Sequence, residues 1–260
     1  MRYHIDTIPV WDAIKLQGEC PLCAIRRKNE HIEVHRYLGA SVMEPDTRVQ
    51  VNERGFCARH QAMLFSQSNR LGHGLMLHTH LKETQRRLTK TLAQLQQAGE
   101  QLSGIGGIAR LMKKGSSASQ AVIDCAKALE TATESCILCD TLKENMYRYV
   151  KTFLHLWRTD ATFKNALKDS KGLCLPDTAL LLKAGAEHLP PDALGDLAQA
   201  LAALTETNLA RLEKELEWFT LKFDYRNREK PWENSKDAVE RTCNKLRGWC
   251  AGEEPFSKEP

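Results

Sequence analysis

Long apolar runs, strand patterns and a strong net charge are all missing from this sequence of 260 residues. No stretch approaches the roughly 18–20 apolar residues that a membrane helix needs. The opening "MRYHIDTIPVWDAIK" has no apolar core of the kind found in a secretory signal. A net charge of +4 with a pI near 8.5 is too weak to indicate nucleic acid. We therefore expect a cytoplasmic protein, with no membrane role, whose partner is another protein or a small molecule.

Strand-like alternation is nearly absent, and the apolar spacing typical of helices runs along most of the chain. Apolar residues make up 42% of the composition, which is enough to build a folded core. The predicted fold class is all-α. The main exception is "EPDTRVQVNERG", which predicts a loop with a brief extended piece at "RVQV". In the helical stretch after Cys57, Gly72 and Gly74 predict a break or close packing.

A glycine- and serine-rich segment, "SGIGGIARLMKKGSS", separates two stretches of helical pattern. Such a composition is typical of a flexible connection. It lacks the Gly-Lys-Ser/Thr spacing of a phosphate-binding loop. The sequence predicts a first helical half, a linker, a second helical half and a tail, at residues 1–103, 104–117, 118–250 and 251–260.

Six of the nine cysteines fall into two sets that share one pattern. The first set is Cys20-x2-Cys23 followed by Cys57-x2-His60, and the second is Cys136-x2-Cys139 followed by Cys174-x2-Asp177. A glycine and a large apolar residue precede the third cysteine of each set, as "GFC" and "GLC". The match in order and length predicts an internal duplication. Because thiols stay reduced in the cytoplasm, the pattern favours metal binding over disulfides.

The spacing has a direct chemical meaning. A C-x2-C turn aims two sulfurs at one point, and a second turn from a distant segment completes a tetrahedron around an ion. All four turns are expected to open helices, where the positive helix end stabilises thiolates. The competing interpretation is that these cysteines are simply small buried apolar residues. The sequence predicts one site per half, formed by Cys20, Cys23, Cys57 and His60, and by Cys136, Cys139, Cys174 and Asp177.

The second predicted site is chemically unusual because Asp177 stands where the first has His60. Asp177 could bind the ion directly through oxygen, Cys125 could replace it, or the second site could be degenerate. Zinc is favoured at both sites because three thiolates and an imidazole form a closed structural centre. An iron–sulfur cluster is the alternative, since cysteine-rich sites with one unusual ligand also suit it.

Two further groups are candidate ligand-binding residues. Glu44, Asp46 and Arg48 could form an acid–base or binding group, or a loop with a local ion pair. His78 and His80 are two apart, so they point to different faces of a helix. They could line a pocket or serve as core or surface polar residues.

The segments "CPLC", "YLGASVMEPDTRVQVNERGFCARH", "NRLGHGLMLHTHL" and "FDYRNREKPW" resemble those of a family of uncharacterised bacterial proteins. That family is common in anaerobic Gram-positive species and is classed as a domain of unknown function. The resemblance spans nearly the whole chain. It implies the cysteine positions and a histidine as the last residue of the second set, where this chain has Asp177 instead. It implies no reaction.

Taken together, the residues favour a zinc-stabilised binding or scaffold module. An enzyme is neither asserted nor excluded, because no Ser/His/Asp or Cys/His catalytic arrangement stands out. The alternative function is an iron–sulfur or metal-dependent enzyme or redox protein. That alternative uses an incomplete second site made of Cys136, Cys139, Cys174 and Asp177.

Overall fold

The computed structural model describes residues 4–103 and 117–256 and is all-helical there, with no strand. None of the described helices combines the length and apolarity needed to cross a membrane. Of the predicted linker, residues 104–116 lie outside the described part of the chain. The α-helices are α1 His4–Lys15, α2 Pro21–Leu38, α3 Pro45–Arg54, α4 Ala58–Ser66, α5 Arg70–Ser103, α6 Ser117–Glu134, α7 Ile137–Thr159, α8 Ala161–Lys168, α9 Leu175–His188, α10 Pro191–Leu221 and α11 Ala238–Arg247, and 3-10 helices lie at Ala40–Met43 and Tyr225–Asn227.

The chain divides into two compact units. Unit 1 contains Met1–Glu30 and Lys143–Pro260, and unit 2 contains His31–Leu142. Neither boundary falls in the glycine- and serine-rich segment, where the sequence places the division between halves.

Unit 1 is built on an aromatic and aliphatic core. Phe163 on α8 meets Trp11 of α1 and Phe153 of α7 edge to face, at centroid distances of 5.4 and 4.9 Å. Trp157 is fully buried, and its indole N–H donates to the carbonyl of Ala193. Helices α9, α10 and α11 pack against one another. The same core contains the side chains of Cys20, Cys23 and Cys174, so these thiols lie inside it.

Unit 2 has a smaller core beside the long helix α5, which packs against α3, α4 and α6. Tyr37 and Phe56 meet edge to face at 5.4 Å in the core that also contains Cys136. Gly72 allows α5 to approach the 3-10 helix closely, because a Cβ there would lie 3.0 Å from a methyl of Val42. The predicted close packing is therefore found at Gly72. The helical break lies earlier, at residues 67–69, and not at either glycine.

The predicted loop at residues 44–55 is wrong, because Pro45–Arg54 forms α3. Proline is well suited to the first helical position, where its missing N–H has no intrahelical partner. Asp46 in the first turn and Arg54 in the last complement the helix dipole. The helix ends at Gly55, where the chain turns into the Cys57 segment.

Candidate metal centres

The eight predicted ligands form two compact groups, but the groups differ from those expected. Cys57 and His60 lie with Cys136 and Cys139, whereas Cys20 and Cys23 lie with Cys174 and Asp177. Within each group the ligand atoms are all within 4.8 Å of one another. The expected convergence of Cys57 with Cys20 and Cys23 is therefore wrong. So is the set of Cys136, Cys139, Cys174 and Asp177, on which the alternative of an incomplete second site rested.

We call Cys57, His60, Cys136 and Cys139 the inner cluster, and Cys20, Cys23, Cys174 and Asp177 the outer cluster, after their nesting along the chain. Each cluster lies within one unit: the inner in unit 2 and the outer in unit 1. In all four turns the first ligand directly precedes a helix and the second lies in its first turn. The predicted placement of the cysteine turns at helix N-termini is thus confirmed.

The inner cluster has the dimensions of a single tetrahedral site. The Sγ atoms of Cys57 and Cys139 are 3.8 Å apart, and Nδ1 of His60 lies 3.2–3.4 Å from the three Sγ atoms. Four ligands about 2.3 Å from one ion lie about 3.8 Å from each other. His60 is buried, Cys57 is half-buried and Cys139 is exposed. This site therefore has one ligand open to solvent.

Backbone contacts set the two turns of the inner cluster side by side. The N–H of Ile137 donates to the carbonyl of Gly55, and the hydroxyl of Ser135 donates to that of Arg54. Arg54 also pairs with Asp140 at 2.6 Å. These contacts join the residues that precede "CARH" to those around "CILC", which is the physical reason the cluster draws its ligands from both sides of the glycine-rich segment.

The outer cluster has similar dimensions but is fully enclosed. The Sγ atoms of Cys23 and Cys174 are 3.7 Å apart, and Oδ2 of Asp177 lies 3.2–3.4 Å from the three Sγ atoms. All four residues are at most 6% exposed. Asp177 thus occupies the fourth corner, as direct ligation requires. Cys125 is in neither cluster; its thiol donates to the carbonyl of Thr91.

Arg26 compensates for the carboxylate in the outer cluster. Its guanidinium lies 2.5 Å from Oδ1 of Asp177 and 3.2 Å from Oδ2, a two-pronged contact that fixes the carboxylate plane. Burial lowers the pKa of Arg26, but the bond to Asp177 raises it more, so the group stays charged. Three thiolates and a carboxylate carry one more negative charge than the inner set. Arg26 supplies the matching positive charge.

Lys245 joins the two turns of the outer cluster. Its ammonium is 1% exposed and donates to the carbonyls of Glu19 and Lys171, at 2.8 and 2.7 Å. These carbonyls precede "CPLC" and "GLC", the same positions that Ser135 and Arg54 join directly in the inner cluster. A carboxylate oxygen of Glu19 lies 3.2 Å from the ammonium, so the buried charge is paired.

The turn after α11 closes the remaining side of the outer cluster. The N–H of Trp249 donates to Sγ of Cys23 at 3.3 Å. Gly248 has a φ of 83°, and a Cβ there would meet the sulfurs of Cys23 and Cys174 at 3.9 and 4.0 Å. Arg27 stacks on the Trp249 ring at 4.1 Å and pairs with Glu254. The C-terminal segment is thereby fastened over the sulfurs.

Each cluster favours one thiolate among thiols that hydrogen-bond to it. Hydrogen bonds, the one with Cys174 first, lower the pKa of Cys23 to about 2, whereas burial raises that of Cys20. Burial raises the pKa of Cys136, but hydrogen bonds, that with His60 first, lower it to about 6 overall. Burial raises the pKa of Cys139 to about 12. A cation that enters either cluster must therefore displace protons.

Comparison with known families gives a match that covers nearly the whole chain. Residues 1–253 match a family of unknown function, DUF6062. The chain belongs to that family. The sequence resemblance to a family of unknown function is therefore confirmed. No curated protein and no solved structure matches the chain. The DUF6062 match brings no activity with it, because the function of that family is unknown.

The other candidate residues do not gather into one site. Arg48 donates to the carbonyl of Leu75 and the hydroxyl of Thr79, which fastens α3 to α5. Glu44 accepts from Thr47, and Asp46 is exposed in the first turn of α3. His78 is exposed on α5. His80 lies against the Gly55 turn, and its Nδ1 is 2.9 Å from the carbonyl of Asn52.

Sequence reasoning missed the residues that support the clusters. Arg26, Lys245 and Trp249 carry no pattern of their own, and each acts on a ligand segment far away along the chain. The one available signal was charge: a carboxylate among three thiolates calls for a cation, and "CAIRR" places two arginines directly after the first turn.

Replacing Gly55 with alanine is expected to destabilise the protein by about 2–4 kcal/mol. Gly55 has φ 60° and ψ −158°, a conformation open almost only to glycine, which costs other residues about 1–3 kcal/mol. A Cβ would also lie 2.5 Å from the His80 ring and displace its hydrogen bond, worth about 1 kcal/mol. Chemical denaturation measures the change.

Gly74→Ala is the matched control, because it lies within α5 and a Cβ there meets nothing within 4 Å. That substitution should stabilise the helix by about 0.5–1 kcal/mol. Adding His80→Ala to Gly55→Ala should relieve the contact but leave the backbone strain. Equal stability of Gly55→Ala and wild type would contradict the strained turn described above.

Proposed function

We propose that the protein binds one zinc ion in each cluster, and that the two ions hold its helices in place as a scaffold that binds a partner. The observation that carries this proposal is the convergence of eight donor atoms from four helix N-termini into two sets of tetrahedral dimensions. Three thiolates with an imidazole, or with a carboxylate, are donors that zinc accepts.

The spacing of the sulfurs supports a single ion in each site over an iron–sulfur cluster. Cysteines that bind different irons of one cluster lie farther apart than cysteines that share one ion. Here the Sγ–Sγ distance is 3.7 Å between Cys23 and Cys174 and 3.8 Å between Cys57 and Cys139, close to the about 3.8 Å edge of a tetrahedron around zinc, and no two ligand atoms of a cluster are more than 4.8 Å apart. The N–H donors to sulfur, from Cys23, Cys139 and Trp249, stabilise thiolates as structural zinc sites require.

A structural role is supported by the closure of both sites. Each cluster supplies four protein ligands, which leaves no coordination position for a substrate. The nine cysteines form no disulfide with one another, which is consistent with a cytoplasmic location. The left-handed glycines at equivalent places, Gly55 and Gly172, with φ of 60° and 70°, support the interpretation of an internal duplication.

The test is metal analysis of protein purified under reducing conditions. We expect two zinc ions per chain, and one ion in His60→Ala, which removes an inner ligand only. Replacement of zinc by cobalt should give the visible absorption of tetrahedral cobalt thiolate. Protein that folds fully without metal would contradict the structural role, and iron in place of zinc would contradict the metal assignment.

A further inference from the structure

A basic cavity lies in unit 1, away from the residues of either metal cluster. It has a volume of about 190 Å³ and lies between the C-terminal parts of α7 and α9. Its lining residues share a pattern of apolar floor and basic rim; they are Lys151, Leu154, His155, Arg158, His188 and Leu189.

The basic residues of α7 are arranged by the helical repeat. Lys151, His155 and Arg158 are four and three residues apart, so they share one face of the helix. The ammonium of Lys151 lies 4.4 Å from the centre of the Tyr147 ring. That ring in turn meets the His188 ring edge to face at 6.4 Å. Tyr147 therefore contacts two lining residues that come from different helices, Lys151 of α7 and His188 of α9.

The lining itself contains no carboxylate. Glu187, next to the lining residue His188, is 71% exposed, and its carboxylate is 3.9 Å from Nε2 of His188. Lysine and arginine keep their charge at neutral pH, so two fixed positive charges and two imidazoles face one small space. Like charges so arranged repel one another, and an anion in the cavity removes that cost.

The competing explanation for these basic residues is that they stabilise the helix dipole, since Arg158 and His188 lie in the last turns of α7 and α9. It does not account for Lys151, which lies two turns before the end of α7. Nor does it account for the meeting of basic groups from two helices over Leu154, which is 2% exposed.

We propose that this cavity binds the phosphate group of a small phosphate monoester. A phosphate dianion matches the two fixed charges, and the guanidinium of Arg158 can hold two of its oxygens. The carbon part of the ligand would rest on Leu154, Leu189 and the exposed ring of Tyr147. The proposal goes beyond metal binding and does not depend on which metal the clusters hold.

The experiment is calorimetric titration of the metal-loaded protein with inorganic phosphate and with glycerol phosphate, at low and at high salt. We expect saturable binding that is tighter for the ester and weaker at high salt. Lys151→Ala and Arg158→Ala should each weaken it on the order of tenfold, as expected for loss of one charged hydrogen-bond donor. Arg158→Lys should fall between wild type and Arg158→Ala.

The matched control is Arg247→Ala, which removes an exposed arginine from the last turn of another helix of unit 1. Its binding should equal that of the wild type. Binding that is absent, or reduced equally by Arg247→Ala and Arg158→Ala, would overturn the proposal. So would binding seen only with vesicles that contain phosphatidic acid, because the ligand would then be a lipid surface. Metal content measured on the same samples separates these outcomes from failure of the metal sites.

Discussion

Replacing Cys174 with serine is expected to leave unit 1 unfolded at 25 °C. Cys174 is 0% exposed, and its sulfur lies 3.7 Å from that of Cys23 and 3.3 Å from the Asp177 carboxylate. Structural zinc contributes about 10–16 kcal/mol to the folding of small domains, whereas a whole domain is stable by only about 5–15 kcal/mol. Loss of one ligand in four therefore removes most of what holds these helices. Circular dichroism and zinc content measure the effect.

The chain offers a control of the same chemistry. Cys243→Ser makes the identical change at an exposed cysteine that belongs to neither cluster. It should melt like the wild type and keep two ions per chain. If Cys174→Ser behaves in the same way, the outer cluster does not stabilise the fold.

The second large effect expected is a difference in metal release, with the inner cluster losing its ion on the order of tenfold faster than the outer. Cys139 is exposed and Cys57 half-buried, whereas the four outer ligands are buried and Asp177 is held by Arg26. A ligand at the surface can dissociate by local opening, but enclosed ligands require a larger and less frequent opening. This order is the reverse of what a weakened site at Asp177 would give.

Thiol alkylation in the presence of a weak chelator, followed by peptide mapping, gives the order directly. Cys57 and Cys139 should be labelled before Cys20, Cys23 and Cys174. The other cysteines calibrate the experiment: exposed Cys243 and Cys250 should react at once, and buried Cys125 reports global unfolding. Labelling of both clusters at one rate would show that burial does not control release.

The helices of this fold could be predicted from sequence, since α7, α9 and α10 have clear apolar repeats and obvious ends. The exception is α3, whose polar residues carry little periodicity; Pro45 and Asp46 were in fact signals of a helix start. The cluster members could also be predicted, because the ligand types and the two-residue spacing are set by coordination chemistry.

The pairing of the turns could not be predicted, and the reason is energetic. The ligand segments that meet are separated by 76 residues in the inner cluster and 151 in the outer, against 34 between Cys23 and Cys57. Each doubling of a loop costs only about 0.6 kcal/mol in closure entropy. The total penalty of about 2 kcal/mol is small beside zinc binding, so packing decides the pairing, through contacts such as that of Ser135 with Arg54.

The nesting of the ligands has a consequence for biosynthesis. A ribosome that adds about 5–20 residues per second needs about 8–30 s to pass from Cys23 to Cys174. Throughout that interval Cys20 and Cys23 lack their partner ligands, Cys174 and Asp177. Cys136 and Cys139 are synthesised later, but their partners Cys57 and His60 are already present in the chain by then. With an ion bound in each cluster as proposed, the nascent chain completes the inner site before the outer one, and Cys20 and Cys23 are the thiols exposed longest to oxidants and to competing ions.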